Sequence, residues 1–115
     1  MQEEGVKLIF GIPSLKVHAK ICVVEKIIDK KIKKYGFIST GNFNESTAKI
    51  YTDFTLFTSN KDILNDISKV FNFFKFNYKK FKYKHLILSP YNTQNHFTEL
   101  IENEIENAKK GKQAF

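Results

Sequence analysis

The sequence predicts a mixed α/β fold in which a sheet is flanked by helices. In several early segments apolar and polar residues alternate, which places them on opposite faces of β-strands. In two later segments, residues 60–74 and 92–110, apolar residues recur every three or four positions, which is typical of amphipathic helices. Strands and helices in this arrangement predict a layered α/β structure.

The N-terminal third of the chain is predicted to form strands. A short strand covers residues 5–10 and ends at the turn signal Gly11-Ile12-Pro13. A longer strand covers residues 15–28. The lysine-rich residues 29–34 are interpreted as a hairpin connection, with residues 35–38 as the returning strand.

The rest of the chain is predicted to contain two strands and both helices. Ser59 or Asn60 can cap the first helix, and Gly111 closes the second. The predicted order is β-β-β-β-α-β-α, without an internal repeat or a linker. After the hairpin it comprises a polar loop (39–48), a strand (53–58), a helix (60–74), a strand (83–88) and a helix (92–110).

Length and cysteine content set limits on the class of protein. At 115 residues the chain has the size of one small domain, and it lacks an apolar run of the roughly 18 to 20 residues that span a bilayer. Its acidic first residues, 1–4, argue against a secretory signal peptide. The single Cys22 cannot form an internal disulfide, so we expect it to be buried in a protein of the reducing cytoplasm.

The formal net charge is +7, and no arginine contributes to it. Such a charge favours an anionic partner, and at this point nucleotide, polyphosphate and nucleic acid remain open. The charge could equally reflect genomic base composition. Lysine binds phosphate as a mobile point charge, whereas arginine provides a fixed fork.

His18 is the residue whose surroundings suggest chemistry. On a strand it shares a face with Lys16 and Lys20, because side chains alternate with a period of two. A neutral imidazole is a nucleophile toward phosphorus near neutral pH, and phosphoryl transfer needs cations around the phosphate oxygens. Lys20 can reach the same phosphate. The alternative is a partly buried histidine between two lysines that extend to solvent.

A glycine turn follows the hairpin and offers further donors to a phosphate. It reads Gly41-Asn42-Phe43-Asn44, in which Asn42 and Asn44 carry amide donors. The backbone N–H groups of residues 40–42 are expected to form an anion-binding nest where Gly41 permits the turn.

The pairing of His-x-Lys with Gly-Asn-x-Asn resembles the phosphoryl-transfer site of the phospholipase D superfamily. The acidic residue of that motif would fall on Glu25. The segments "GVKLIFGIPSLKVHAKICVVE", "STGNFNESTAKIYTDFTLFT" and "HLILSP…ELIENEIENAKKGKQA" are, in this order, similar to the large, phosphohistidine type of polyphosphate kinase. They cover nearly the whole chain, and "TGNFNE-TAK-YTDF" is highly specific.

The resemblance implies an organisation and an activity. Residues 1–90 would be the C-terminal part of a first phospholipase-D-like catalytic domain, and residues 91–115 the helix leading into a second. The implied reaction is reversible transfer of the terminal phosphate of ATP to polyphosphate, with Mg²⁺ whose ligands lie outside this chain. The implied partners are ATP, ADP, polyphosphate and the remaining domains of the full-length enzyme, without nucleic acid.

The resemblance also assigns roles to individual residues. His18 would carry the phosphate, and Lys20 would be the motif lysine. Tyr51 would contact ATP, although residue type alone favours a packed strand aromatic, and Asn42 and Asn44 would bind phosphate and shape the loop. The full-length protein would form a homo-oligomer in the cytoplasm, with peripheral attachment to the inner membrane as a second location.

Three residues depart from the family pattern: Phe37 is in place of a histidine, Ser39 is in place of a glycine and Gln94 is in place of an arginine. Because a phospholipase-D-like site needs two halves, the isolated chain is expected to be inactive or nearly so. One alternative is a non-catalytic basic module that binds polyphosphate or nucleotide. Another is a self-pairing phosphodiesterase in which each copy supplies half of a site.

Overall fold

The computed structural model describes residues 2–115, and its central feature is a long β-hairpin. Strand β1 (Lys20–Ile28) pairs antiparallel with β2 (Lys31–Ser39), in a register that runs from Lys20 opposite Ser39 to Ile28 opposite Lys31. Asp29 and Lys30 form the turn, with φ angles of 52° and 58°. Two consecutive left-handed residues close a hairpin tightly.

The predicted six-residue hairpin connection is therefore wrong. Lys31, Lys33 and Lys34 belong to β2, because strand pairing begins directly after the two-residue turn. After β2 comes the four-residue helix α1 (Glu45–Ala48), followed by β3 (Thr55–Thr58). Strand β3 pairs antiparallel with the end of β2, so the sheet order is β1-β2-β3. The prediction of a strand at 53–58 is confirmed over its last four residues.

Two predicted strands and part of a third are wrong within the described residues. Residues 5–10 and 83–88 contain no strand, and β1 begins at Lys20 rather than at residue 15. An alternating pattern becomes a strand only where a neighbour accepts its backbone hydrogen bonds. The partner strand β2 ends at Ser39, which is opposite Lys20, so residues 15–19 have no strand beside them in the described part of the chain. The predicted turn near Gly11 is present as an isolated bridge between Ile12 and Leu15.

Helix α2 (Lys61–Lys75) covers one face of the sheet and supplies the core. Its buried apolar residues are Leu64, Ile67, Val70 and Phe73. Asn60 caps it, because its side-chain oxygen accepts from the N–H groups of the second and third helical residues. The helix therefore confirms the prediction for residues 60–74.

Gly36 allows this helix to approach the sheet closely. A Cβ added there would overlap the carbonyl oxygen of Cys22 and lie 2.7 Å from Leu64 Cδ2. The side of β2 to which Gly36 belongs therefore faces α2. The neighbouring cross-strand pair, Cys22 and Phe37, lies on the opposite, outer face of the sheet. Cys22 is half-buried on this face, whereas the sequence predicts that it is buried.

The segment predicted to form a strand at residues 83–88 is bound at its start by a buried carboxylate of α2. Asp66 is 1 % exposed, and its Oδ2 accepts from the backbone N–H groups of Lys84 and His85, each at 2.7 Å. Its Oδ1 accepts from Lys69 Nζ at 2.7 Å, and the same ammonium donates to the carbonyl oxygen of Lys82 at 2.8 Å. Residues 82–85 are thus held by side chains of α2 rather than by a neighbouring strand.

The chain divides into two compact units, residues 1–85 and 86–115. The second unit contains α3 (Thr93–Lys109), which confirms the predicted second helix and ends before Gly111 with its φ of 67°. No helix in the described part of the chain has the length and apolar character needed to cross a membrane. The predicted mixed α/β class is confirmed.

Candidate phosphate-binding site

The hairpin brings the two predicted site segments to one end of the sheet. Lys20 and Ser39 form the last pair of the β1–β2 ladder. His18 lies two residues before this pair and Gly41 lies two residues after it. Thr55, at the start of β3, pairs with Ser39 on the other side. The His-x-Lys segment and the glycine turn therefore leave the sheet side by side.

His18 and Lys20 are in direct contact. The Nζ atom of Lys20 lies 3.0 Å from Nε2 and 3.2 Å from Nδ1 of His18. An ammonium group only donates, so a ring nitrogen that accepts its hydrogen bond has to be one without a proton, and which of the two that is depends on the tautomer. His18 itself is exposed and accessible to a reactant. The structure thus joins the two residues that the spacing places on one face.

Lys20 is 9 % exposed and has no carboxylate within 4.0 Å among the described residues. A nearly buried lysine whose ammonium contacts an imidazole and no carboxylate is poorly compensated, because burial removes the water that would solvate its charge. An anion beside His18 would supply the missing negative charge. This end of the sheet is therefore suited to attract a phosphate group.

The glycine turn is held by hydrogen bonds to the strand that follows it. The N–H of Thr40 donates to the carbonyl oxygen of Phe54 at 3.0 Å, and the Thr40 hydroxyl accepts from the N–H of Phe54 at 3.0 Å. The N–H of Gly41 donates to the hydroxyl of Ser39 at 3.1 Å. Two of the three N–H groups expected to form an anion nest are thus used internally. The prediction is therefore wrong for Thr40 and Gly41, whose N–H groups bond within the fold, and for Asn42 it stays a prediction.

Asp53 is the residue of this region that the sequence did not reveal. Its Oδ1 accepts from the Thr40 hydroxyl at 3.3 Å. Gly41 is buried against the same carboxylate, and a Cβ added to it would lie 2.8 Å from the Asp53 Cβ and would overlap the carboxyl group. Asp53 thus explains why position 41 is glycine. An acid twelve residues after a glycine gives no local sequence signal.

Phe37, one of the three departures from the resembled pattern, packs against the loop. Its ring lies 5.3 Å from that of Phe43 in an edge-to-face arrangement and 5.4 Å from that of Phe57. Aromatic pairs at such spacing add packing energy beyond the area that they bury. The middle residue of the Asn-Phe-Asn stretch is therefore anchored to the outer face of the sheet.

The remaining predicted site residues lie in or near the loop. Asn44 is the N-cap of α1, and its Oδ1 accepts from the N–H of Thr47 at 3.1 Å and from the Ser46 hydroxyl at 2.9 Å. Asn42 is exposed, and its carbonyl oxygen accepts from the N–H of Asn44 at 2.8 Å. Tyr51 is 66 % exposed, and its hydroxyl has no hydrogen bond to the described residues. Phosphate binding by these three residues stays a prediction.

Glu25, the acidic residue of the resembled motif, lies within β1 and pairs with Lys34 at 2.7 Å. It belongs to the face that is opposite to Lys20, since the two are an odd number of residues apart. No three His, Cys, Asp or Glu side chains among residues 2–115 are placed to hold a metal ion.

The fold and this site together define an α/β segment in which a histidine and a nearly buried lysine meet at one end of the sheet. The family model described as polyphosphate kinase C-terminal domain 1 matches residues 1–80. The chain therefore belongs to the polyphosphate kinase family, as the resemblance predicted.

Individual relatives agree with this assignment. The polyphosphate kinase of Vibrio parahaemolyticus is 44 % identical over 114 residues, which is 99 % of this chain and 16 % of that protein. The Escherichia coli K12 polyphosphate kinase is 39 % identical over 111 residues, again 16 % of its length. The crystal structure of polyphosphate kinase from Porphyromonas gingivalis superposes with a TM-score of 0.81 at 37 % identity, covering 97 % of this chain and 19 % of that one. The chain thus spans about a sixth of these relatives.

Proposed function

We propose that this chain supplies the phosphate-accepting half of an ATP–polyphosphate phosphotransferase, with His18 as the nucleophile. The observation that carries the proposal is the contact between the nearly buried Lys20 ammonium and the exposed His18 imidazole. Membership of the polyphosphate kinase family supports the identity of the substrates.

In the proposed reaction, the unprotonated ring nitrogen of His18 attacks the γ-phosphorus of ATP. A nitrogen–phosphorus bond forms, the bond from the γ-phosphorus to the bridging oxygen breaks, and ADP leaves with that electron pair. A terminal oxygen of polyphosphate then attacks the phosphohistidine, and the imidazole leaves with the electrons of the nitrogen–phosphorus bond. Both steps are reversible.

Lys20 stabilises the charge that develops on the transferring phosphoryl group. Catalysis of phosphoryl transfer is mainly positioning and electrostatic stabilisation, so a cation already beside the nucleophile needs little rearrangement. The ammonium can exchange its contact with the ring for one with a phosphate oxygen. Lys20 therefore acts on the same phosphate that His18 accepts.

The loop residues complete the proposed contacts. Asn42 and Asn44 donate from their amides to phosphate oxygens, and the solvent-facing hydroxyl of Tyr51 donates to a phosphate of ATP. Mg²⁺ would be bound by the phosphates of the nucleotide, and we assign no step to it because residues 2–115 offer no ligand cluster. In this proposal the half-site is of the phospholipase D type.

The second half of the site would come from parts of the polyphosphate kinases that this chain does not match. The described residues hold a single His-x-Lys pair, and the chain spans 16 % of its relatives. We therefore expect the isolated chain to make little or no polyphosphate. In the full-length, oligomeric and cytoplasmic enzyme, ATP, ADP and polyphosphate would be its partners. A rate of polyphosphate synthesis by the 115 residues alone that equals that of full-length relatives would contradict this.

The nucleophile can be tested without a nucleotide site. Phosphoramidate is a small anionic phosphoryl donor, and the chain contains two further histidines, His85 and His96, as internal controls. We expect His18 to be phosphorylated several times faster than either control, measured by mass spectrometry of peptides. Lys20→Met should reduce the rate at His18 to that of the controls, because the cation that attracts the donor is lost.

Equal labelling of the three histidines, or labelling of His18 that is indifferent to Lys20→Met, would contradict the proposal. Incubation with γ-labelled ATP then separates a catalytic chain from a non-catalytic binding module. An acid-labile, alkali-stable label that is lost in His18→Ala supports catalysis. Polyphosphate binding without such a label, unchanged in His18→Ala, supports the module.

A further inference from the structure

A groove lies along the free edge of β2, away from the His18 site. Strand β3 pairs only with residues 36–39 of β2, so residues 31–35 have β1 on one side and no strand on the other within the described chain. The start of α2 faces this free edge. The groove between them, called here the lysine groove, is lined by residues 31–35 of β2, which include the apolar Ile32, and by Ser59, Lys61 and Asn65.

The lining of the lysine groove contains four lysines and no carboxylate. Lys31, Lys33 and Lys61 are exposed, and none of them forms an ion pair with the described residues. Lys34 is different, because its Nζ lies 2.7 Å from Glu25 and 3.4 Å from the Ser68 hydroxyl. Three cations without an ion pair in the described chain, from two separate elements, therefore line one groove.

The acids nearest in sequence, Asp29 of the hairpin turn and Asp62 of α2, form no ion pair with these lysines in the described chain. Asp62, in the first turn of α2, lies 3.6 Å from Lys84 and 3.5 Å from His85, both outside the groove. Across the sheet, Lys33 pairs directly with Lys26, another lysine without an ion pair in the described chain. Like charges opposite each other destabilise a sheet. The repulsion between Lys26 and Lys33 destabilises the hairpin, and an anion bound beside Lys33 would reduce that repulsion.

Lysines on a free strand edge also discourage pairing with other strands. That role requires nothing of α2, yet Lys61 comes from α2 and lines the same groove. The lining holds one aromatic side chain, Tyr35, rather than the series of stacking rings with which proteins bind single-stranded nucleic acid. Mobile point charges with neighbouring hydroxyl and amide groups fit a flexible chain of phosphates better.

We propose that the lysine groove binds inorganic polyphosphate as a docking surface separate from the His18 site. The identity of the polyanion rests on the proposed function above. Lys33 is six residues from Ser39 along β2, which corresponds to about 20 Å. A phosphate at His18 therefore cannot also occupy the groove. A long polyphosphate chain contacts both and gains avidity, whereas a short one contacts only one of them.

The test compares two variants with the same change in charge. Lys31→Gln/Lys33→Gln/Lys61→Gln removes these three cations from the groove and leaves the Lys34 pair intact. The control, Lys109→Gln/Lys110→Gln/Lys112→Gln, removes three lysines at the end of α3. Binding of long-chain polyphosphate and of tripolyphosphate by each full 115-residue chain is measured by calorimetry over a series of salt concentrations.

We expect the groove variant to bind long-chain polyphosphate roughly tenfold more weakly or worse, with a salt dependence reduced by about two to three units of slope. Its affinity for tripolyphosphate should change much less. The control should bind long chains nearly as well as the parent, and circular dichroism should show the same fold for all three. His18→Ala should retain the groove-dependent binding, so a failure of the proposed histidine chemistry remains distinguishable.

Equal weakening in the groove variant and the control would overturn the proposal, because binding would then follow net charge alone. Unchanged affinity in the groove variant would overturn it in favour of edge protection only. A single-stranded oligonucleotide of matched charge that displaces polyphosphate from the groove completely would overturn it in favour of nucleic acid.

Discussion

Removing the buried carboxylate of Asp66 should destabilise the chain more than any other single acid-to-alanine change in α2. The Asp66 side chain is 1 % exposed, and it accepts from two backbone N–H groups and one ammonium, all at 2.7 Å. In Asp66→Ala both N–H groups lose their acceptor in a partly buried position. Lys69 keeps its hydrogen bond to the Lys82 carbonyl oxygen, so the loss of its contact with Asp66 costs less than the loss of the acceptor for the two N–H groups.

The magnitude follows from these contacts. A hydrogen bond to a charged group contributes about 1.5 to 3 kcal/mol, and the two N–H groups are partly shielded from water. The ion pair adds little, since the Lys69 side chain is 36 % exposed. We expect a loss of about 3 to 5 kcal/mol in the free energy of unfolding. At about 2 kcal/mol per molar urea, the midpoint of urea unfolding falls by about 2 M.

Urea unfolding followed by circular dichroism measures this loss, with Asp62→Ala as the matched control. Asp62 lies one turn earlier on α2, its side chain is 56 % exposed, and its contacts to Lys84 and His85 are longer than 3.4 Å. Its removal should cost no more than about 1 kcal/mol. Asp66→Asn should fall between the two, because one amide oxygen remains as an acceptor. Equal midpoints for Asp66→Ala and Asp62→Ala would refute the reasoning.

Three further changes should separate the site from the scaffold. Gly41→Ala places a Cβ against the Asp53 carboxyl group, so it should cost about 1 to 3 kcal/mol in urea unfolding and slow the labelling of His18 by phosphoramidate; unchanged labelling would contradict this. Asn60→Ala removes the cap of α2 and should cost about 1 kcal/mol in the same assay, and no loss would count against the cap. Tyr51→Phe should leave thermal stability unchanged, because the hydroxyl has no hydrogen bond to the described residues; a lower melting temperature would reveal a structural role.

The helices were predictable from the sequence because their signals are local. Apolar residues at three- and four-residue spacing identified α2 and α3, and Asn60 was one of two caps considered. The family was also predictable, since the motifs around His18 and Gly41 are specific. These features depend on residues that are close in sequence or on order along the chain.

The errors concern contacts between distant residues. Alternation at residues 5–10 and 83–88 predicts strands, but a strand needs a partner strand. In the second segment, Lys84 and His85 bond to Asp66 instead. The length of the hairpin turn depends on left-handed conformations at Asp29 and Lys30. Glycine is the usual residue for such conformations, and without it the sequence gives no signal of a two-residue turn. Asp53 was missed for the same reason, because its contact with Gly41 exists only in the folded chain.

The contact between His18 and Lys20 shows both the strength and the limit of sequence reasoning. Period-two alternation placed the two side chains together, and they are together. The same reasoning placed them within a strand, whereas β1 begins only at Lys20. The histidine therefore lies in the segment that enters the sheet, where no ladder constrains its backbone. That it is exposed while Lys20 is nearly buried could not be inferred from the pattern.

The two-residue turn at Asp29 and Lys30 has a consequence for how this chain tolerates insertions and deletions. The turn fixes which residues face each other along nine cross-strand pairs, and the last of these pairs, at the opposite end, leads directly into the His18 and Gly41 segments. A slip of one residue at the turn would carry Lys20 to the opposite face of the sheet. The turn at the tip of the hairpin, about 30 Å from the site along the strand, thus sets the strand register that positions the site residues. A single inserted residue there would leave every site residue present in the sequence and yet misalign the site.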